Sequence, residues 1–218
     1  MFNDRIDAGK QLAKALQHYK NEDGVILAVP RGGVEIGSIL ATALSFPLEI
    51  VLSKKIGHPN QPEYAIGAVS LESRVVADHP EVSEEYINQE TNRLRGLLRE
   101  RYKKYYGNHQ PVSLKGKTAI IVDDGIATGH TLLSSIELIR HQKPQRIVVA
   151  IPVAPVESLR HIEEAKGVDE VICLLTPMDF HSVGQYYRHF DQVEDAEVIR
   201  LLHTAWLQKW EGGKPLTM

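Results

Sequence analysis

Two acidic residues at the end of an apolar run, followed at once by a glycine- and threonine-rich turn, form the densest chemistry in this sequence: IIVDDGIATGHT, residues 120–131. Gly125 and Gly129 let the backbone wrap tightly, and the hydroxyls of Thr128 and Thr131 can donate to anionic oxygens. The helical pattern LLSSIELIRHQ begins directly afterwards. The free N–H groups of a helix start therefore point at the same spot, which suits a phosphate. The carboxylates of Asp123 and Asp124 repel that phosphate. They are suited instead to accepting hydrogen bonds from a neighbouring diol or to ordering a hydrated Mg²⁺. Hydroxyls on the acids and phosphate on the glycines and threonines together describe a sugar phosphate. A second candidate is AVPRGGVEIGSILATAL, residues 28–44, where Gly32 and Gly33 expose backbone amides. Arg31 adds a planar fork that matches a diphosphate. A Walker loop would need a lysine after its second glycine, where this chain has His130, and no G-x-G-x-x-G stands at a strand-to-helix junction.

These loops need a scaffold that delivers them to one place. Five short β-branched runs supply it: VILAV (25–29), EIVL (49–52), TAIIV (118–122), IVVAI (147–151) and VICLL (171–175). Runs of this kind, spaced by helical patterns, predict an α/β fold with a mostly parallel central sheet flanked by helices. Between the second and third runs, AIGAVSLESRVVAD reads as two strands joined by a polar turn. A helix over about 82–106 follows, with a stripe at Ile87, Leu94, Leu97, Leu98, Tyr102 and Tyr105 and a wet charged face. A last helical pattern, about 194–210, ends in Trp206 and Trp210. The chain of 218 residues predicts one domain, with a core over about 20–176 and a small cap built from about 1–20 and 177–218.

Composition narrows the function classes. Hydrophobic residues at 43% and charged residues at 24% are ordinary globular usage. A net charge of −3 with interspersed signs gives no support to a nucleic-acid or membrane partner. The first twenty residues carry scattered charges rather than a signal-peptide pattern, and no apolar stretch reaches membrane-span length, so the expected address is cytoplasmic. Cys173 is the sole cysteine, which excludes an internal disulfide, and the ten histidines show no metal-ligand spacing.

The order apolar strand, Asp-Asp, three residues, Thr-Gly-x-Thr resembles the phosphoribosyl-pyrophosphate loop of type I phosphoribosyltransferases. The resemblance implies that Asp123 and Asp124 hold the ribose hydroxyls and that Gly125, Ile126, Ala127, Thr128, Gly129 and Thr131 hold the 5-phosphate. It also implies that Arg31, Gly32 and Gly33 bind the leaving pyrophosphate, in the Arg-Gly form of adenine-type members and often around a non-proline cis peptide. The segment LSKKIGHPNQPEYAIGAVS, residues 52–70, reads as a long exposed loop whose tip is either a solvated hairpin or a lid. The resemblance makes 55–64 a lid candidate, with Lys54 or Lys55 nearest the pyrophosphate. It implies catalysis through Arg31, Lys55 and Asp124. Mg²⁺ would be carried by substrate and water near Asp123 and Asp124, with no direct protein ligands.

The acceptor is expected to be a small nitrogenous compound met by the cap. Asp179, Phe180, Tyr186 and Tyr187 could stack on and hydrogen-bond a heterocycle, or simply pack. Hypoxanthine-guanine members place an acid before the loop threonine, whereas this chain has Ala127, as adenine-type members do. The chain ends resemble an uncharacterised subgroup of the family, and the family resemblance implies a homodimer. A regulator that binds phosphoribosyl pyrophosphate without turnover would keep the same acids. A phospho-receiver would use them but leave the Thr-Gly-x-Thr segment unexplained.

Overall fold

The computed structural model describes residues 1–77, 79–207, 210–211 and 214–215. Its elements run α1 (Arg5–Ala15), β1 (Gly24–Ala28), α2 (Gly32–Leu44), β2 (Leu48–Ile50), β3 (Lys54–His58), β4 (Gln61–Val69), β5 (Arg74–Val76), α3 (Glu84–Tyr106), β6 (Thr118–Val122), α4 (His130–Arg140), β7 (Arg146–Val153), α5 (Val156–Glu163), β8 (Glu170–Leu175) and α6 (Asp195–Leu207). Two short strands follow, β9 (Trp210–Glu211) and β10 (Lys214–Pro215).

All five apolar runs become strands of one parallel sheet in the order β2-β1-β6-β7-β8. Alternation along these strands feeds two cores. Ile26, Ala28, Ile120, Val122, Val148 and Ala150 face one way, onto α1, α2 and α6. Val25, Leu27, Ala119, Ile121, Val149 and Ile151 face the other, onto Leu132, Ile136 and Ile139 of α4 and Ile162 of α5. The chain order reverses between β1 and β6, which send α2 and α4 to opposite faces. A crevice opens at such a switch point, beyond the carboxyl ends of the strands. The edge strand β2 is covered by aromatic groups: the Ile50 N–H donates to the Tyr106 hydroxyl, and Trp206 Nε1 donates to the Leu48 carbonyl.

Residues 52–70 are more ordered than their composition suggests. They hold two strands of a separate antiparallel sheet, β3-β4-β5, with a tip at Pro59–Asn60. The lysines, prolines and glycines hide a one-sided apolar set, Ile56, Ile66 and Val69, which packs on Val82, Ile87, Leu94 and Leu98 of the α3 region. The stripe on α3 is Ile87, Thr91, Leu94, Leu98, Tyr105 and Tyr106, so Leu97, one position off the 3.6-residue repeat, is 43% exposed. Asp78, at the end of the second strand read from this region, lies outside the described residues.

The chain ends meet. Phe2 forms a parallel bridge to Tyr187, with Phe2 N–H donating to Tyr186 and Arg188 N–H donating back to Phe2. α6 is described as far as Leu207, and Trp210 is in β9. Of the cap segment 177–218, residues 208–209, 212–213 and 216–218 lie outside the described residues. Among the described residues no helix is long and apolar enough to cross a membrane.

Candidate functional site

Ala28 of β1 is in register with Val122 of β6, and the next amide, Val29 N–H, donates to the Val122 carbonyl at 2.8 Å. The Pro30–Gly33 and Asp123–Gly129 turns therefore leave neighbouring strands at the same edge. They touch: a Cβ on Gly32 would fall 1.8 Å from Asp124 Oδ2, and one on Gly33 would fall 2.8 Å from the Val122 carbonyl oxygen. Any side chain at 32 would push the acid away, so glycine is required there by packing. The Pro30–Arg31 peptide is cis.

Each turn ends in a helix start. α2 begins at Gly32, and α4 begins at His130 after Gly129, whose φ of +75° is a conformation glycine adopts without strain. Neither start has a side-chain cap; Val34 N–H donates to the Arg31 carbonyl at 3.1 Å, which leaves the N–H groups of Gly32 and Gly33 and of the first turn of α4 to face an anion. Thr128 and Thr131 are exposed beside them. Ile126 is different: it is 4% exposed, and its N–H is committed to the Val153 carbonyl at 2.9 Å. Of the residues read as a phosphate cradle, Ile126 thus anchors the turn to β7.

Asp123 and Asp124 are half-buried, and Asp123 Oδ1 accepts the Asp124 N–H at 2.8 Å. Burial, and then the adjacent Asp124 carboxylate, hold Asp123 well above the usual carboxylate range. Asp124 has a partner that no local pattern in the chain discloses. Arg5, from the first turn of α1, donates from Nε to Asp124 Oδ2 at 2.8 Å and from Nη1 to the Asp191 carbonyl at 2.7 Å. Its guanidinium lies 3.9 Å from the Phe190 ring centroid and 3.6 Å from Glu35 of α2. Burial raises the Glu35 pKa; Arg5 opposes the rise, and Glu197, Asp124 and Asp4 add to it.

The other proposed residues divide. Lys54 and Lys55, at the start of β3, line a cavity of about 310 Å³ with Pro30, Arg101, His130 and Thr131. Arg31 is not on that wall; it is half-buried and sits 3.9 Å from Asp195 of α6, whose carboxylate also takes Lys104 and the Tyr105 hydroxyl, each at 2.5 Å. In the cap, Tyr187 is buried and donates to the Asp124 backbone carbonyl at 2.6 Å, and Val183 lies against Gly125. Tyr187 thus fastens the cap to the acid turn. Phe180 and Tyr186 stack on each other, the Tyr186 hydroxyl donates to the Asp179 carbonyl, and the Asp179 side chain is 87% exposed. Cys173 is half-buried, and burial pushes its thiol up to about 11, a reluctant nucleophile. No group of three or more His, Cys, Asp or Glu side chains among the described residues converges as a metal site.

An α/β sheet with an acid pair and two anion-directed helix starts at its switch point offers one edge to both the hydroxyls and the phosphate of a sugar phosphate. The phosphoribosyl transferase domain pattern matches residues 4–187, and the chain belongs to that family. Curated relatives in two strains of Mycobacterium tuberculosis, CDC 1551 and H37Rv, each named "Putative phosphoribosyl transferase", are 36% identical over 219 residues. The alignment covers 98% of this chain and 49% of each relative, so the chain spans about half their length. A solved structure, TT1426 from Thermus thermophilus, is 36% identical with a TM-score of 0.83, covering 93% of this chain and 97% of that one.

Proposed function

We propose that the chain transfers the 5-phosphoribosyl group of 5-phosphoribosyl 1-pyrophosphate to a small nitrogenous acceptor and releases pyrophosphate. The observation that carries this reading is the meeting of the two turns: Gly32 and Gly33 press on Asp123, Asp124 and the end of β6. One ligand can therefore touch both. The 5-phosphate would lie on the N–H groups and hydroxyls of residues 127–131, with Asp123 and Asp124 on the ribose diol. The diphosphate would reach toward Gly32, Gly33, Lys54 and Lys55. As the C1–O bond breaks, its electron pair leaves with pyrophosphate; the acceptor nitrogen bonds to C1 and gives up a proton. Donors fixed around the leaving group would stabilise the charge that gathers there. The donor set suits a hydrated Mg²⁺, since the half-buried carboxylates of Asp123 and Asp124 stand at the edge where the ribose and diphosphate would lie. The ion would neutralise the diphosphate, with Asp123 and Asp124 meeting it through water.

A pyrophosphate-release screen over bases and small amines tests the proposal, with Arg31→Ala beside wild type. Arg31, 3.9 Å from Asp195, would serve as a further donor to the departing diphosphate, so the variant should lose roughly two to three decades of rate. Its ribose 5-phosphate affinity should stay nearly normal. A second reading, a non-catalytic sensor of the same compound, is favoured by one observation: Asp124 is already paired with Arg5. Tight binding with no release for any acceptor would replace the transferase by the sensor.

A further inference from the structure

The cavity between the first turn and the β3–β4 hairpin has a wall that none of the family-like loops supplies. Lys54, Lys55, His130 and Arg101 line the cavity, and of these Arg101 alone comes from outside those loops. Arg101 comes from α3, between the half-buried Tyr102 and the wet Glu100, in a stretch whose charges would ordinarily be a solvated face. It is itself half-buried, with Cζ 5.8 Å from the Tyr105 ring centroid. The Tyr105 hydroxyl binds Asp195, and Asp195 is the carboxylate that faces Arg31. Two arginines from elements far apart in sequence thus approach one Tyr–Asp pair, Arg31 beside Asp195 and Arg101 beside Tyr105 on the α3 wall of the cavity.

Cationic side chains from three segments converge on one cavity, and a multivalent anion can engage several of them at once. A guanidinium adds what the lysines lack, a planar fork that can hold two oxygens of one phosphoryl group. We propose that Arg101 is a further contact for the diphosphate of the substrate and the pyrophosphate product, reaching from α3 across the cavity from Pro30. The inference rests on the phosphoribosyl-transfer reading of the site. It separates the two ends of the substrate: the 127–131 turn takes the monophosphate, and Lys54, Lys55 and Arg101 take the diphosphate.

Titration calorimetry with Mg²⁺-pyrophosphate and with ribose 5-phosphate as probes tests this on wild type, Arg101→Gln and Arg101→Lys. Loss of a charge-assisted hydrogen bond corresponds to roughly 10- to 100-fold in affinity. Arg101→Gln should weaken pyrophosphate by that factor, leave ribose 5-phosphate within about 2-fold, and flatten the salt dependence of pyrophosphate binding. Arg101→Lys should recover part of the loss, since it keeps the charge without the fork. Should Arg101→Gln fail to fold, Arg101→Lys carries the comparison, with the diphosphate alone weakened. Pyrophosphate affinity unchanged in the folded variants, or equal loss of both probes, overturns the assignment of Arg101. If wild type binds neither pyrophosphate nor phosphoribosyl pyrophosphate, the transferase reading itself falls, and this inference with it.

Discussion

Arg5→Met is the substitution that asks most of the structure. Methionine keeps an unbranched side chain of similar reach and places a thioether where the guanidinium lies over Phe190, so the volume changes little and the charge is removed. The Arg5 side chain is 8% exposed and Asp124 16%, with Nε 2.8 Å from Oδ2. Removing one partner of a pair this buried leaves the other uncompensated, which costs about 3–5 kcal/mol. Glu35, 3.6 Å away and 29% exposed, is better hydrated, and losing its cation adds under about 1 kcal/mol. A loss of about 3 kcal/mol corresponds to roughly 6–12 °C in melting temperature for a domain of this size. Urea denaturation and thermal melting measure both. The double variant Arg5→Met with Asp124→Asn should recover much of the loss, because the stranded carboxylate is gone. Ligand binding should respond separately: Arg5 opposes the rise in the Asp123 pKa, so without it Asp123 holds its proton to higher pH. The affinity for phosphoribosyl pyrophosphate should then fall even in variants restored to wild-type stability. A cost below about 1 kcal/mol, with no coupling in the double variant, would show that water screens the pair and that α1 does not organise the acids.

Asp123→Asn tests the other acid with the opposite sign. The folded state holds the Asp123 proton above the unfolded value of about 3.9, so wild-type stability declines as pH rises from about 4 through the raised folded value. The variant should melt higher than wild type at pH 8 and level with it below pH 4, while binding phosphoribosyl pyrophosphate at least about tenfold more weakly; a lower melt at pH 8 contradicts the assigned burial. Amide exchange over residues 55–64 should slow when phosphoribosyl pyrophosphate and Mg²⁺ bind, because Lys54 and Lys55 line the cavity from the foot of this hairpin. Equal exchange with and without ligand makes the hairpin a fixed wall.

What the sequence disclosed and what it hid differ by the range of the interactions involved. The five parallel strands are written in local β-branched runs, and the 120–131 turn in twelve contiguous residues that carry both the acids and the phosphate-directed turn. A hairpin tip and the strand that became β4 were legible, but β3 was hidden because lysine and glycine dominate a segment whose one buried aliphatic, Ile56, finds its partners Ile66 and Val69 across the tip. Arg5 could not be read locally at all, since it lies 119 positions from Asp124, and within α1 it is one charge among several. The Tyr187–Asp124 contact, 63 positions apart, and the link from Tyr105 to Asp195, 90 apart, are of the same kind.

These long-range contacts share a destination. Arg5 and Tyr187 come from the two ends of the chain and hold the side chain and the backbone carbonyl of Asp124. Asp195, on the last long helix, gathers Lys104 and Tyr105 from α3 and faces Arg31. The central sheet therefore brings the two turns to one edge, but the chain ends set how their charged side chains stand. A strand-turn-helix unit can fix backbone N–H groups through its own geometry, because helix starts and glycines are local features. It cannot fix a carboxylate that neighbours another carboxylate, since the two repel and each is better solvated apart. Holding Asp124 beside Asp123 needs a cation and a donor from outside the turn, and in this chain the terminal segments supply them.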